Sequence, residues 1–205
     1  MTPHRHARRS KAGQSGLPWS AAAFETRYQN DADPWHFADS RYEQERYERT
    51  LLALRRPRYE RALEPGCSVG VLTARLAERC SRVLATDVAP SAVRAARARC
   101  AGHDNIEIHC EDVADMDCPR GSFDLIVFSE LGYYFSVWAL AAIARRLRQA
   151  LAPGGEIVCV HWLGNSLHHQ LHGDAVHCVL NVNLELNWAG GVRMPGYRID
   201  TWIQA

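Results

Sequence analysis

From about position 60 onward, short apolar runs alternate with stretches whose apolar residues recur every three or four positions, the pattern of strands interleaved with helices. Residues 61–64 read as a short strand ending in Pro65-Gly66, and 69–79 as a helix with Val71, Leu72, Leu76 and Ala77 on one face. A strand is expected over 82–87, an Ala/Arg-rich helix over 91–100, a strand over 106–110 and another, almost wholly apolar, over 123–129. A helix over 140–151 stops before Pro153-Gly154-Gly155, and a fifth strand follows over 156–161. Strands alternating with helices predict a parallel sheet covered on both faces, with the apolar 125–128 run at its centre.

The ends read differently. Residues 1–17, rich in Arg, His, Ser and Gly, form an expected basic, disordered tail, and a single domain is expected over 18–205. Its first part, 18–57, should be a helical cap: a short helix over 21–28, a break at Pro34, and a helix over 40–54. Ser40 can cap that helix, with Glu43 at the capping-box position. After His161 the pattern weakens. A helix is expected over 174–182 despite its β-branched content. A terminal antiparallel hairpin is expected from 184–188 and 197–203, separated by Gly190-Gly191 and Pro195-Gly196.

Composition narrows the class. The 205 residues suit one domain with a real core, and a formal net charge of +1 argues against nucleic acid or anionic membrane as partner. The 7 cysteines are scattered singletons without a CxxC pair, which favours buried free thiols in a reducing compartment over disulfides or zinc. No stretch approaches membrane-spanning length. A cytoplasmic protein acting on a small molecule is the expectation; the oligomeric state is left open.

Chemistry concentrates at strand ends, where open α/β sheets bind ligands. The first strand runs into Glu64-Pro65-Gly66-Cys67-Ser68-Val69-Gly70, a tight turn opening a helix whose free N–H groups can meet an anion. The second ends at Asp87-Val88, about twenty residues beyond the turn, where a carboxylate accepts bonds from ribose hydroxyls. Its competing reading is a cap on the next helix. The third strand ends in Glu111-Asp112-Val113, suited to an adenine amine (Asp112) and ring face (Val113), and the fourth in Ser129-Glu130-Leu131-Gly132-Tyr133-Tyr134.

In order and spacing, Glu64-Pro65-Gly66-Cys67, Asp87, Asp112-Val113, Phe123-Asp124-Leu125-Ile126-Val127 and Leu151-Ala152-Pro153-Gly154-Gly155 resemble the motifs of class I S-adenosylmethionine (SAM)-dependent methyltransferases. The resemblance spans roughly 62–161. It implies a Rossmann-like, seven-stranded, mostly parallel sheet flanked by helices, with SAM as cofactor and S-adenosylhomocysteine as product. One departure is Ser68, which stands where the usual turn has its second glycine. Asp33-Pro34-Trp35 followed by Tyr42-Glu43-Gln44-Glu45-Arg46-Tyr47 is similar to the opening of the rhizobial nodulation N-methyltransferases (NodS type), which methylate the free amine of a deacetylated chitooligosaccharide. That resemblance implies that Trp35 and Arg46 fold over the cofactor, Arg46 meeting its carboxylate. The alternative is an amphipathic helix with Trp35 in the core. The acceptor implied is an amine of an amino sugar or saccharide; O-methylation of another metabolite and non-catalytic SAM binding stay open.

A base for an amine acceptor is sought among Glu130, Tyr134 and His161, all at or just past strand ends. His161 titrates in the useful range but also reads as a packing residue beside Trp162. His168, His169, His172, Asp174 and His177 crowd one loop; lacking a fixed ligand spacing, they are not assigned a metal. Trp138, Trp162 and Trp188 are expected in the core rather than in a sugar-stacking groove.

Overall fold

The computed structural model describes residues 19–205, so the tail expected over 1–17 lies outside the described residues. Two helices, α1 (Ala21–Asn30) and α2 (Arg41–Leu52), precede the alternation β1 (Tyr59–Pro65), α3 (Val71–Ala77), β2 (Cys80–Asp87), α4 (Pro90–Arg99), β3 (Ile106–Cys110) and β4 (Phe123–Ser129). A 3-10 turn, Gly132–Tyr134, leads to α5 (Val137–Ala150), β5 (Leu151–Trp162), α6 (Gly173–Leu184), β6 (Asn187–Arg193) and β7 (Tyr197–Ile203). The 7 strands form one sheet in the order β3-β2-β1-β4-β5-β7-β6, parallel except for β7, which runs antiparallel to both its neighbours. This is the expected Rossmann-like architecture with its terminal hairpin.

Side-chain alternation explains why β4 is central. Ile126 and Phe128 join Leu63, Ile157, Cys159 and Trp202 in the core under α5 and α6, while Leu125 and Val127 join Ala62, Val158, Val160 and Ile199 beneath α2 and α3. With both faces covered, each fully buried aliphatic contributes about 1.5–3 kcal/mol of transfer free energy. α6 forms in spite of its β-branched residues because Val176, Leu180 and Leu184, spaced four apart, are wholly buried. Tertiary burial outweighs the small propensity differences involved.

Several boundaries differ from expectation, each for a local reason. α5 begins at Val137 rather than near 140, because Ser136 caps it by accepting the Ala139 N–H. Ser40 caps α2 as expected, but the reciprocal half of the capping box is missing: Glu43 bonds Arg46, and the Ser40 N–H donates to the His36 carbonyl. β6 starts later than expected and runs through Gly190-Gly191, which were read as a separator. The cause is close approach. A Cβ on Gly191 would lie 2.0 Å from Asp200 Oδ1, and past a register shift that takes up Ala189 both glycines pair with β7, Gly190 opposite Thr201 and Gly191 opposite Asp200. The chain reverses only at Met194, whose N–H donates to the Tyr197 carbonyl. Trp138 and Trp188 are not core residues: they are 85% and 60% exposed, Trp138 on the outer first turn of α5 and Trp188 on the edge strand.

Candidate active site

α1 lies across the carboxyl ends of the strands, fastened there by polar contacts, while α2 brings its first turns to the same end and packs the rest of its length on the sheet face. Tyr28 O–H donates to Ser68 Oγ (2.6 Å), and Glu25 accepts from the Ser91 N–H (2.8 Å) and hydroxyl (2.7 Å) at the start of α4. Beneath them is a cavity of ≈ 430 Å³, within the size range of small-molecule sites. Gly66, Ser68, Asp87, Val88, Asp112, Val113, Glu130, Tyr134 and Trp35 all line it. The turn at Gly66 and the carboxylates Asp87 and Asp112 therefore meet on one space, as the sequence pattern required. Glu64, Cys67, Ser129 and Arg46 line a narrow extension that shares Phe37, Gly66, Ser68 and Glu130 with the main cavity.

The turn keeps its shape without the second glycine. Gly66, Ser68 and Gly70 have φ of 75°, 51° and 78°, so the serine occupies a left-handed conformation that glycine would adopt more cheaply. Two bonds hold it there: its N–H donates to Asp87 Oδ2 (2.9 Å) and its hydroxyl accepts from Tyr28. Asp87 Oδ1 accepts the Ala89 N–H at 3.0 Å, so the carboxylate both fixes the turn into α4 and borders the cavity. Burial pushes Asp87 upward, opposed by these backbone donors. Asp112 accepts the Ala114 N–H through Oδ1 (2.9 Å) and is half-buried on the wall, with Val113 buried beside it.

The extension carries unmet polar atoms. Arg46, 1% exposed, bonds Glu43 and lies 2.6 Å from Glu130 Oε2, off the angle of a hydrogen bond; its Nε and Nη1 have no hydrogen-bond partner. Opposite in charge, Glu64 Oε2 is likewise buried without a partner. Burial, with the Asp87 charge adding, pushes the Glu64 carboxyl up to about 8. Leaving buried donors and acceptors unpaired costs about 1–3 kcal/mol each. A ligand bearing a carboxylate and an ammonium on neighbouring atoms would satisfy both, and the adjoining cavity has room for a larger group attached to them. The residues thus fit the expected sulfonium nucleoside.

Glu130 is an anchor. Its φ of 56° is strained for a side-chain-bearing residue, and strain of that kind persists only where surroundings over-determine it. Here Oε1 accepts the Trp162 N–H (2.7 Å), Oε2 accepts Tyr133 O–H (2.9 Å), and Arg46 pairs with the same oxygen, joining β4, β5 and α2 at one carboxylate. Tyr134 stands on the cavity wall with its phenol pushed above the usual range, by burial first and the Glu130 charge second, so it serves as a donor. Trp35 is half-buried in an aromatic group with Phe24, Tyr28 and Phe37, stacking on Phe37 at 5.8 Å. It packs among these rings and borders the cavity.

His161 does not reach the cavity. It is wholly buried beneath the wall, where the Gly132 N–H donates to its Nε2 (3.0 Å) and its Nδ1 faces His177 Nε2 (3.2 Å); His177 Nδ1 faces Asp200 Oδ2 (2.7 Å). One proton arrangement satisfies all four groups: both imidazoles neutral, each carrying its proton on Nδ1. Burial drives His161 well below its ordinary range, with His177 and Arg46 adding, and lowers His177 despite Asp200. A Cβ on residue 132 would sit 2.4 Å from Val176 and 2.8 Å from His161, so only glycine lets the turn lie this close.

The histidine-rich loop separates into distinct jobs. His172 caps α6 through Nδ1, which accepts the Asp174 N–H (3.2 Å), while His169 lies on the cavity wall stacked on Tyr133 at 3.8 Å. No group of three potential ligands that could hold a metal forms among the described residues. Sequence reasoning missed Phe24, Tyr42, Glu43, Trp162 and His169 as wall residues. Phe24 and Tyr28 share a helix face at a spacing of four, a readable signal; the sequence marks the histidine-rich loop but does not tell His169 from its neighbours.

The family model for nodulation protein S (NodS) matches residues 24–181 of the chain. Nodulation protein S of Sinorhizobium fredii is 36% identical over 128 residues, which cover 62% of this chain and 59% of that protein. The Rhizobium tropici counterpart is 35% identical over the same length, so the match spans little more than half of these relatives. Among solved structures, the N-methyltransferase NodS of Bradyrhizobium japonicum WM9, in complex with S-adenosylhomocysteine, superposes with a TM-score of 0.79 at 24% identity, covering 90% of this chain and 98% of that one. A putative methyltransferase from Pseudomonas syringae reaches a TM-score of 0.69 at 33% identity, covering 80% and 99%.

Proposed function

As the chain belongs to the nodulation protein S (NodS) family, we propose that it is a SAM-dependent methyltransferase acting on the amine of a small molecule, an amino sugar or saccharide. The observation that carries this reading is one cavity bordered by Gly66, Asp87 and Asp112 together, continued by an extension into which Arg46 and Glu64 bring buried polar atoms without hydrogen-bond partners. When bound, SAM supplies a methyl group already activated on a sulfonium. Asp87 accepts the ribose hydroxyls, Asp112 the adenine amine, and Val88 and Val113 cover the ring. Arg46 donates to the methionine carboxylate as a charge-assisted contact, and Glu64 ionises against the ammonium.

Trp35, Phe37 and the α1 aromatics close the site and exclude water. What is left for the protein is to bring the acceptor in line, which positioning alone can accelerate strongly. Among the described residues the main cavity is bordered by Glu43, Asp87, Glu111, Asp112 and Glu130 and by no lysine or arginine, which supports an amine over a carboxylate or phosphate acceptor. Glu130 holds the wall and sets its negative charge; Tyr134 donates to the acceptor.

Two measurements test the proposal. Calorimetry should detect S-adenosylhomocysteine binding and none of NAD. Transfer of labelled methyl from SAM, assayed over amino sugars, other amines, phenols and carboxylates, should give turnover on amines. Cofactor binding without turnover on any acceptor would leave a non-catalytic SAM-binding protein; turnover confined to hydroxyls would replace N- by O-methylation.

A further inference from the structure

Resting on methyl transfer to an amine, we propose that His169 is the general base that takes the proton from the acceptor's ammonium. An amine arriving at neutral pH carries a proton that occupies the lone pair needed for attack. Tyr134 keeps its proton, its phenol raised by burial and by the Glu130 charge, and His161 and Glu130 are engaged elsewhere. The Nε2 lone pair of His161 is held by the Gly132 N–H beneath the wall, and the carboxylate of Glu130 is shared among Arg46, Tyr133 and the Trp162 backbone.

His169 is differently placed. Its ring borders the cavity, lies flat on Tyr133 (3.8 Å between centroids, 14° between planes), and meets Tyr134 and Trp162 edge-on. Among the described residues its ring nitrogens make no hydrogen bond, whereas His161, His172 and His177 each spend theirs on structure. The segment carrying it is tied to the wall: the Gln170 N–H donates to the Tyr133 carbonyl (2.8 Å) and Gln170 Nε2 to that of Tyr134 (2.6 Å). The ring is therefore held by stacking and backbone contacts, with its nitrogens left for a ligand.

The charged and titratable groups around it are Glu130 from the end of β4, Arg27 from α1, and His168 and His172 from its own loop. Burial holds the imidazole below its ordinary range, with Glu130 opposing and Arg27 among the groups reinforcing, so the ring is neutral at pH 7. In the step itself the ammonium N–H bond breaks, its electron pair stays on nitrogen and the proton goes to His169, which returns it to water at the mouth. The freed pair then forms the N–C bond, while the C–S pair of the sulfonium donor returns to sulfur as a neutral thioether.

The test compares His169→Gln and His169→Asn with wild type, using glucosamine as acceptor. The wild-type kcat/KM should be near its plateau by pH 7. In the variants it should fall about tenfold or more at pH 6.5, rise with pH as solution supplies free amine, and approach wild type by about pH 8.5. S-adenosylhomocysteine affinity should be unchanged by calorimetry, and the wild-type His169 proton resonance should titrate below 6.5 by NMR. A deficit of equal size at every pH, or loss of cofactor affinity and Tm in both variants, would make His169 structural and overturn the proposal. Variants with full activity would overturn it and leave the methyltransferase reading standing; wild type that binds cofactor but methylates no amine would overturn both.

Discussion

Replacing His161 with alanine removes the acceptor of a buried backbone N–H and one partner of a buried imidazole, and both losses can be given a size. The Gly132 N–H is left unpaired in a space too tight for Gly132 itself to carry a Cβ, a cost of about 1–3 kcal/mol. With the lost contacts to Phe128 and Tyr133, the total at pH 8 is roughly 2–5 kcal/mol. The penalty should depend on pH. In the unfolded chain His161 titrates near ~6.5, whereas burial depresses it well below that in the fold. Its contribution to stability is therefore complete above ~6.5 and is lost as pH falls, at about 1.4 kcal/mol per unit. By pH 5 wild type should have lost about 2 kcal/mol that the alanine variant never had to lose. Urea unfolding of both proteins at pH 8 and pH 5 should show the gap narrowing by that amount. His177 is present in both proteins, and if the new space lets it hydrate, the gap narrows further. A gap independent of pH would refute the neutral, buried relay. Turnover should also fall, since the released turn carries Tyr133 and Tyr134, while cofactor affinity should hold within a few fold.

Asp87→Asn should weaken S-adenosylhomocysteine binding about 10- to 100-fold, the worth of a charge-assisted bond; unchanged affinity in calorimetry would remove the ribose role. Arg46→Met strands Glu43 and Glu130 in the interior and should destabilise the fold by about 3–5 kcal/mol, with weakened cofactor binding read in the same titration. Trp138→Ser, on the exposed turn of α5, should change stability by no more than about 0.5 kcal/mol in urea unfolding; a larger loss would mean that this face is buried by contacts within the protein.

Much of the molecule follows from the order of its residues. Short apolar runs and period-3.6 patterning announce the strands and helices, and the wholly apolar 125–128 run announces the middle of the sheet, because only a strand covered on both faces can be apolar at every position. The Gly66 turn, Asp87 and Asp112 were legible because sheet topology brings successive strand ends to one edge, so spacing along the chain becomes position around a ligand. Where contacts between distant segments decide, that reasoning stops. Gly190-Gly191 reads as a turn until Asp200 is seen occupying the place of a side chain, and Trp138 reads as core until the outward side of α5 is known. His161 and His169 are indistinguishable as letters. Tertiary structure alone seals the first beneath Gly132, where its lone pair is spent, and leaves the second on the cavity wall with its nitrogens open, because availability to a ligand depends on what surrounds a side chain in space.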